Sequence, residues 1–249
     1  MRTRLRRISK QAARILSYIL LLAFVAIYII IGKSFYETYR VRQVSQQLRE
    51  TRYIIDKEED WSGGMLDINE DYVGWLSVYG TDVNGPVVQG EDNEEYLRTN
   101  IYKEHSMAGV FFMDETVDTD VDGNVMIFGH LMNDGTMFGS LKNFKNKTFF
   151  KQNGIVRWDD KHGEHYYRLF AGMVINGAPG NDRFIDLQKW MNEIDPETSE
   201  EMLEELKDRS FMFRPNAFRE ADNKYIFLVT CDYSHDNDRL VLVGERIRG

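Results

Sequence analysis

The run from Ile15 to Gly32, ILSYILLLAFVAIYIIIG, passes eighteen residues without a charge. As an α-helix it just spans the roughly 30 Å hydrocarbon core of a bilayer. Arg14 and Lys33 bracket it, and the arginines before it predict a cytoplasmic N-terminus with everything after Lys33 outside. A cleavable signal peptide is the competing reading. It needs a shorter apolar core and an Ala-x-Ala-like site, and IIIGKSFYETY offers neither. The chain therefore divides into a basic cytoplasmic segment (1–14), a single-pass transmembrane anchor (15–32), a juxtamembrane helical segment (33–70) and a body (71–249).

The first 33 residues hold seven basic side chains and no acid, which leaves 24 basic against 40 acidic beyond them, a net charge of −16. Such a body repels phosphate backbones, and no basic stripe interleaved with aromatics relieves it, so nucleic acid is excluded as a partner. With 43% hydrophobic and 13% aromatic residues, the chain has enough apolar mass for a real core.

From Ser34 to about Asp60, Val41, Val44, Leu48 and Ile54 recur near helical spacing, which predicts a helix or stalk. Beyond it, β-branched and aromatic runs alternate with Gly, Asn and Asp. The runs are Tyr72–Val78, Gly85–Val88, Gly109–Met113, Val125–Phe128, Ile155–Trp158, Tyr166–Ile175, Tyr225–Thr230 and Arg239–Val243. About eight short strands at this spacing predict a mainly β fold, a closed barrel or a sandwich. Two helical stretches interrupt it: TMFGSLKNFKNKTFFKQ after the fourth strand, and a longer insertion between the sixth and the seventh. In the insertion Asp195 is placed to cap a helix beginning at Pro196, with Met202, Leu203 and Leu206 on one face.

Cys231 is the only cysteine, so it makes no internal disulfide and is either a buried small hydrophobe or a reactive thiol. It ends the apolar run KYIFLVTC, and the chain returns eight positions later through Arg239 in RLVLVGERI. Those two runs form a hairpin with Cys231 and Arg239 flanking its loop. A guanidinium there lowers the thiol pKa and can donate to an oxyanion, as a cysteine nucleophile requires, although a solvated loop arginine fits the same spacing. Of the five histidines, four lie in polar stretches. His130, in NVMIFGHLMNDG, follows a buried strand and is the candidate proton partner, though a structural histidine is also common at such a place.

Two other patterns read as turns. Asp118, Asp120, Asp122 and Gly123 match the first half of a calcium loop, but its twelfth position is Gly129 instead of a bidentate Glu. His162 and His165 lack further nearby ligands to complete a zinc set. No metal and no organic cofactor is expected.

IFGHLMNDGTMFGSLKNF and FLVTCDYSHDNDRLVLVGERI, together with GPVVQGEDNEEYLRTN, GVFFMDE and the long insertion, resemble the sortases, class B in particular, over about Tyr72 to Ile247. The resemblance implies an eight-stranded closed sortase β-barrel with helical additions over 71–249, anchored in the membrane of a Gram-positive bacterium with its catalytic domain extracellular. It also implies Cys231 as nucleophile, His130 as general acid/base and Arg239 as the oxyanion or substrate-positioning group. Asn93 and Leu97 would contact the sorting peptide, Thr230 would line the same groove, and Phe184 and Ile185 would form the wall opposite. After the histidine this chain has Leu131, where relatives often carry Asn.

The implied partners are surface proteins bearing a C-terminal sorting signal and an amine acceptor, either a peptidoglycan cross-bridge or a pilin lysine. Cleavage after a Thr would leave a thioacyl enzyme, which the amine resolves. Two other readings fit the same residues: a membrane-anchored cysteine peptidase with water as acceptor, and a non-catalytic barrel that binds peptide.

Overall fold

In the computed structural model, residues 2–55, 61–192, 196–214, 224–232 and 235–247 are described. The chain separates into two compact units, Met1–Arg42 and Gln43–Gly249. The first belongs to helix α1 (Arg2–Ile55), the one helix among the described residues long and apolar enough to cross a membrane. Its apolar side chains are bare, with Leu22 68% and Tyr28 73% exposed.

The second unit begins on the last turns of α1. There Val44, Leu48 and Arg52, four residues apart, share a face. Leu48 is buried in a cluster with Met65, Tyr72, Trp75, Tyr96 and Phe112, and Val44 packs at its edge. Arg52 forms a buried ion pair with Asp159 and lies 4.7 Å over the Trp75 ring. Met65 belongs to a one-turn helix, α2 (Met65–Ile68).

Eight strands close into a barrel: β1 (Tyr72–Val78), β2 (Asn84–Val88), β3 (Phe111–Met113), β4 (Val125–Phe128), β5 (Ile155–Asp160), β6 (Gly163–Asn176), β8 (Tyr225–Cys231) and β9 (Asp238–Arg246). Their order is β5-β1-β2-β3-β4-β8-β9-β6, and a β5–β6 pairing closes the ring. That closure removes the free edges a sandwich would keep. A two-residue strand, β7 (Met212–Phe213), adds to β6 at Ala171 and Gly172, just after the stretch expected to be helical. It fits there because β5 pairs only with Gly163 to Arg168, so that edge of β6 is open farther along.

Side chains alternate across the sheet. Ile226, Leu228, Leu240 and Leu242 fill one face at zero exposure. Phe227, Val229, Val241 and Val243 fill the other, beneath the insertion, where Trp190 and Met191 of α4 (Leu187–Asn192) and Met202 and Leu206 of α5 (Pro196–Arg209) cover them. Leu203 is only partly buried, and Asp195 lies outside the described residues. After β4 comes the 3-10 segment Phe138–Lys145, then α3 (Lys147–Gln152), whose cap Asn146 accepts the backbone N–H groups of Thr148 and Phe149 at 2.9 and 3.1 Å.

Candidate active site

Cys231 is the last residue of β8, and its Cα partner across the ladder is Arg239 on β9. Both are half-buried and have the parity of Val229 and Val241, so their side chains leave the sheet on the face the insertion covers. The other neighbour of β8 is β4, parallel to it, with Met126 opposite Phe227 and Phe128 opposite Val229. The Gly129 N–H donates to the Val229 carbonyl at 3.3 Å, continuing that register. Two residues past Phe128, just beyond the end of β4, the chain reaches His130. Adjacent strands β8 and β9 thus pair Cys231 with Arg239 on one face, and His130 follows the end of β4, the other neighbour of β8.

His130 Nε2 lies 2.7 Å from the carbonyl of Leu97, which ends the 3-10 turn Glu95–Leu97. A carbonyl only accepts, so Nε2 carries the hydrogen, and in the neutral ring Nδ1 holds the lone pair. Leu97 therefore reaches the site through its backbone. Asn93, four residues earlier, does not join this group. Its amide donates to Asp114 Oδ2 at 3.0 Å and accepts the Glu115 N–H at 3.1 Å, while Asp114 is bonded back to Met126, well before His130.

Thr230 faces the side of the sheet opposite to Cys231. It is 3% exposed, and its Oγ1 is buried with no hydrogen-bond partner among the described residues. Ile185 is buried in the cluster that holds Val229 and Val241, one alternation in from Cys231 and Arg239. It underlies the site and offers little surface of its own. Phe184 is half-buried and bridges to Asn176, the last residue of β6.

The charges around the thiol are unequal in their partners. Asp232, 7% exposed and next to Cys231, is ion-paired with Lys145. Asp238, 1% exposed and next to Arg239, accepts both Arg183 guanidinium nitrogens at 3.0 and 2.8 Å. Arg183 foremost, with help from Asn176 and His235, holds the Asp238 carboxyl well below the usual carboxylate range, although burial opposes it. Arg239 has no carboxylate partner among the described residues; its Nη1 donates to the Asp238 carbonyl at 3.1 Å. Its positive charge is therefore left for a thiolate or an oxyanion. Sequence reasoning missed Arg183, Asp238, Lys145 and Asp232. The only signal was an acid flanking each candidate residue of the hairpin, Asp232 after Cys231 and Asp238 before Arg239.

The acidic loop after β3 is a turn, with the Val121 N–H donating to the Asp118 carbonyl at 3.2 Å. Asp120 pairs with Lys161, and Asp122 with Lys224 and Arg246. Among the described residues no cluster of three His, Cys, Asp or Glu side chains suits a metal ion.

A closed eight-stranded barrel with a thiol opposite a guanidinium that has no carboxylate partner among the described residues, and a histidine just past the neighbouring strand, defines a thiol-bearing barrel of the sortase type. Residues 76–247 match the sortase domain family, and the chain belongs to that family, within its class B. It is 29% identical over 184 residues to sortase B of Staphylococcus aureus, covering 73% of this chain and 72% of that one. The solved sortase B of Clostridium perfringens is 32% identical, covers 74% of this chain and 98% of its own, and superposes with a TM-score of 0.66. A sortase B solved with triglycine is 25% identical over 85% of this chain and 99% of its own, with a TM-score of 0.73.

Proposed function

We propose that this chain is a membrane-anchored cysteine transpeptidase that cleaves a C-terminal sorting signal after Thr and passes the acyl group to an amine. The observation that carries the reading is the rung that sets Cys231 opposite Arg239, a guanidinium free of any carboxylate among the described residues, with His130 two residues past the strand that runs beside β8. Membership of the sortase family supports it. Segment 15–32 is the anchor, 1–14 lies in the cytoplasm, 33–70 links the anchor to the catalytic barrel of 71–249, and that barrel works outside the cell.

The Cys231 thiol gives its proton to His130 Nδ1, and the thiolate attacks the threonine carbonyl carbon and forms a C–S bond. Arg239 balances the oxyanion of the tetrahedral intermediate. The C–N bond then breaks, and the leaving nitrogen takes a proton from His130. The Nε2 hydrogen bond to Leu97 assigns that transfer to Nδ1. A thioacyl enzyme remains. An incoming amine gives its proton back to Nδ1 as it forms the new amide, and Cys231 leaves as thiolate. The bound triglycine of the related sortase B supports an amine at the end of a peptide as acceptor. Leu97 and Phe184 border the peptide, Ile185 supports that wall from beneath, Thr230 backs Cys231 from the opposite face of the sheet, and Asn93 contacts the sorting signal farther from the thiol.

Intact-mass analysis of the full chain in detergent, given peptides carrying Thr-Gly or Thr-Asn junctions with and without triglycine, tests this. An acyl adduct on Cys231 that triglycine converts to a transferred product is expected, and Cys231→Ala abolishes both. Hydrolysed peptide alone at high triglycine means a peptidase. Peptide binding that survives Cys231→Ala with no adduct in the parent means a binding module.

A further inference from the structure

Asp238 sits where three segments meet. It is the Cα partner of Asn176 across the β6–β9 ladder, so it closes the end of β6. The Asn176 Nδ2 donates to Asp238 Oδ1 at 3.1 Å and to the Asp236 carbonyl at 2.9 Å. His235 Nδ1 lies 3.0 Å from Oδ2, which ties in the β8–β9 loop. Arg183 closes the third side from the loop that runs from Gly177 into the insertion. That loop is bonded to the same rung by its backbone, with Asn176 N–H donating to the Arg183 carbonyl at 3.0 Å and Gly177 N–H to the Asn237 carbonyl at 2.8 Å.

A carboxylate with 0% side-chain exposure is costly to desolvate, and a buried ion pair rarely stabilises more than an apolar pair of the same volume. What it supplies is a single arrangement of its donors. The residue that follows is Arg239, and the only hydrogen bond from its guanidinium among the described residues goes to the Asp238 carbonyl. We infer that Asp238 is a positioning residue whose clamp on Arg183, Asn176 and His235 sets the Arg239 guanidinium and the 177–186 loop together against Cys231. This rests on the reading of Cys231 and Arg239 as the working pair. It couples the wall that carries Phe184 to the group that meets the developing charge, so a loosened loop lowers turnover as well as peptide binding.

The test uses the full chain in detergent, with Asp238→Asn, Arg183→Gln, Arg183→Lys, Asp238→Asn combined with Arg183→Gln, and Arg239→Gln as reference. Two readouts are taken on folded protein: kcat and KM for peptide transfer, and the rate of Cys231 alkylation by iodoacetamide at neutral pH. Asp238→Asn and Arg183→Gln each lower kcat at least about tenfold, the double variant loses no more than the worse single, and Arg183→Lys recovers part. Alkylation slows in both singles in the direction of Arg239→Gln. A lower melting temperature with kcat and alkylation of the folded protein unchanged overturns the inference, as do losses that add in the double. If the parent is alkylated yet transfers no peptide, the transpeptidase reading fails, and alkylation alone then decides whether Asp238 and Arg183 act on the thiol through Arg239. Arg183 is about a third exposed, so its variants remain informative even if Asp238→Asn does not fold.

Discussion

Arg239 stands directly opposite Cys231 at the last rung of the β8–β9 ladder, and its guanidinium bonds to a backbone carbonyl instead of a carboxylate. A planar guanidinium offers several donors in a fixed fork, which a lysine ammonium does not reproduce. Arg239→Lys therefore keeps the charge and still loses about a hundredfold in kcat, the scale of one lost oxyanion donor. Because the side chain is only half-buried, the melting temperature stays within a few degrees of the parent. Steady-state kinetics with a thermal melt check both.

Thr230 hides a hydroxyl that no group in the described protein satisfies. Replacing it with a methyl of the same shape removes a desolvated donor without opening a cavity. Thr230→Val is expected to hold or gain stability by up to about 1 kcal/mol. The side chain faces away from Cys231, so kcat and KM for peptide change less than about twofold in the same variant. A denaturant titration beside peptide kinetics measures both.

Glu245 lies on β9 between Tyr225 and Arg168, 9% exposed, and burial pushes its carboxyl up to about 7. The folded state keeps a proton that the unfolded chain releases near its ordinary value, so stability falls as pH rises from about 4.5 to 7 and stays lower above. Glu245→Gln removes that penalty. At pH 8 it stabilises the fold by about 1–3 kcal/mol, and below pH 4.5 it matches the parent. Melting temperatures across pH 4 to 8 show the divergence.

Gly74 marks the irregular register where β1 turns against β2. A Cβ there would lie 2.6 Å from the Asp159 carbonyl and collide with the Trp158 ring, which has no exposure and nowhere to move. Gly74→Ala is expected to destabilise by about 3 kcal/mol or more, at the upper end of overpacking costs. Equilibrium unfolding of the variant measures it, and a loss under 1 kcal/mol contradicts the close approach.

Periodicity alone placed all eight barrel strands to within three residues, because each buries at least one face and apolar side chains mark it. The run of charge-free residues before Lys33 likewise needs no tertiary context to read as a spanning helix. β6 began three residues earlier than its apolar run, since Gly163, Glu164 and His165 pair with β5 around a two-residue turn whatever their polarity. β7 was illegible for a related reason: two residues carry no period, and it pairs where β6 extends past its partner β5.

Cys231, Arg239 and His130 were found as residue types at strand ends, and the hairpin between the first two follows from chain order. That His130 emerges beside the strand of the thiol does not. It depends on β4 lying parallel to β8 across about a hundred residues, a pairing no local pattern encodes. Asp238 and Arg183 are further from sight still. Each reads as a solvated loop charge until the barrel closes, takes the water from Asp238, and brings its carboxylate the three partners it has among the described residues. Hydrophobic periodicity is a local quantity and survives in one dimension; the pairing of buried charges is decided only when distant segments are packed together.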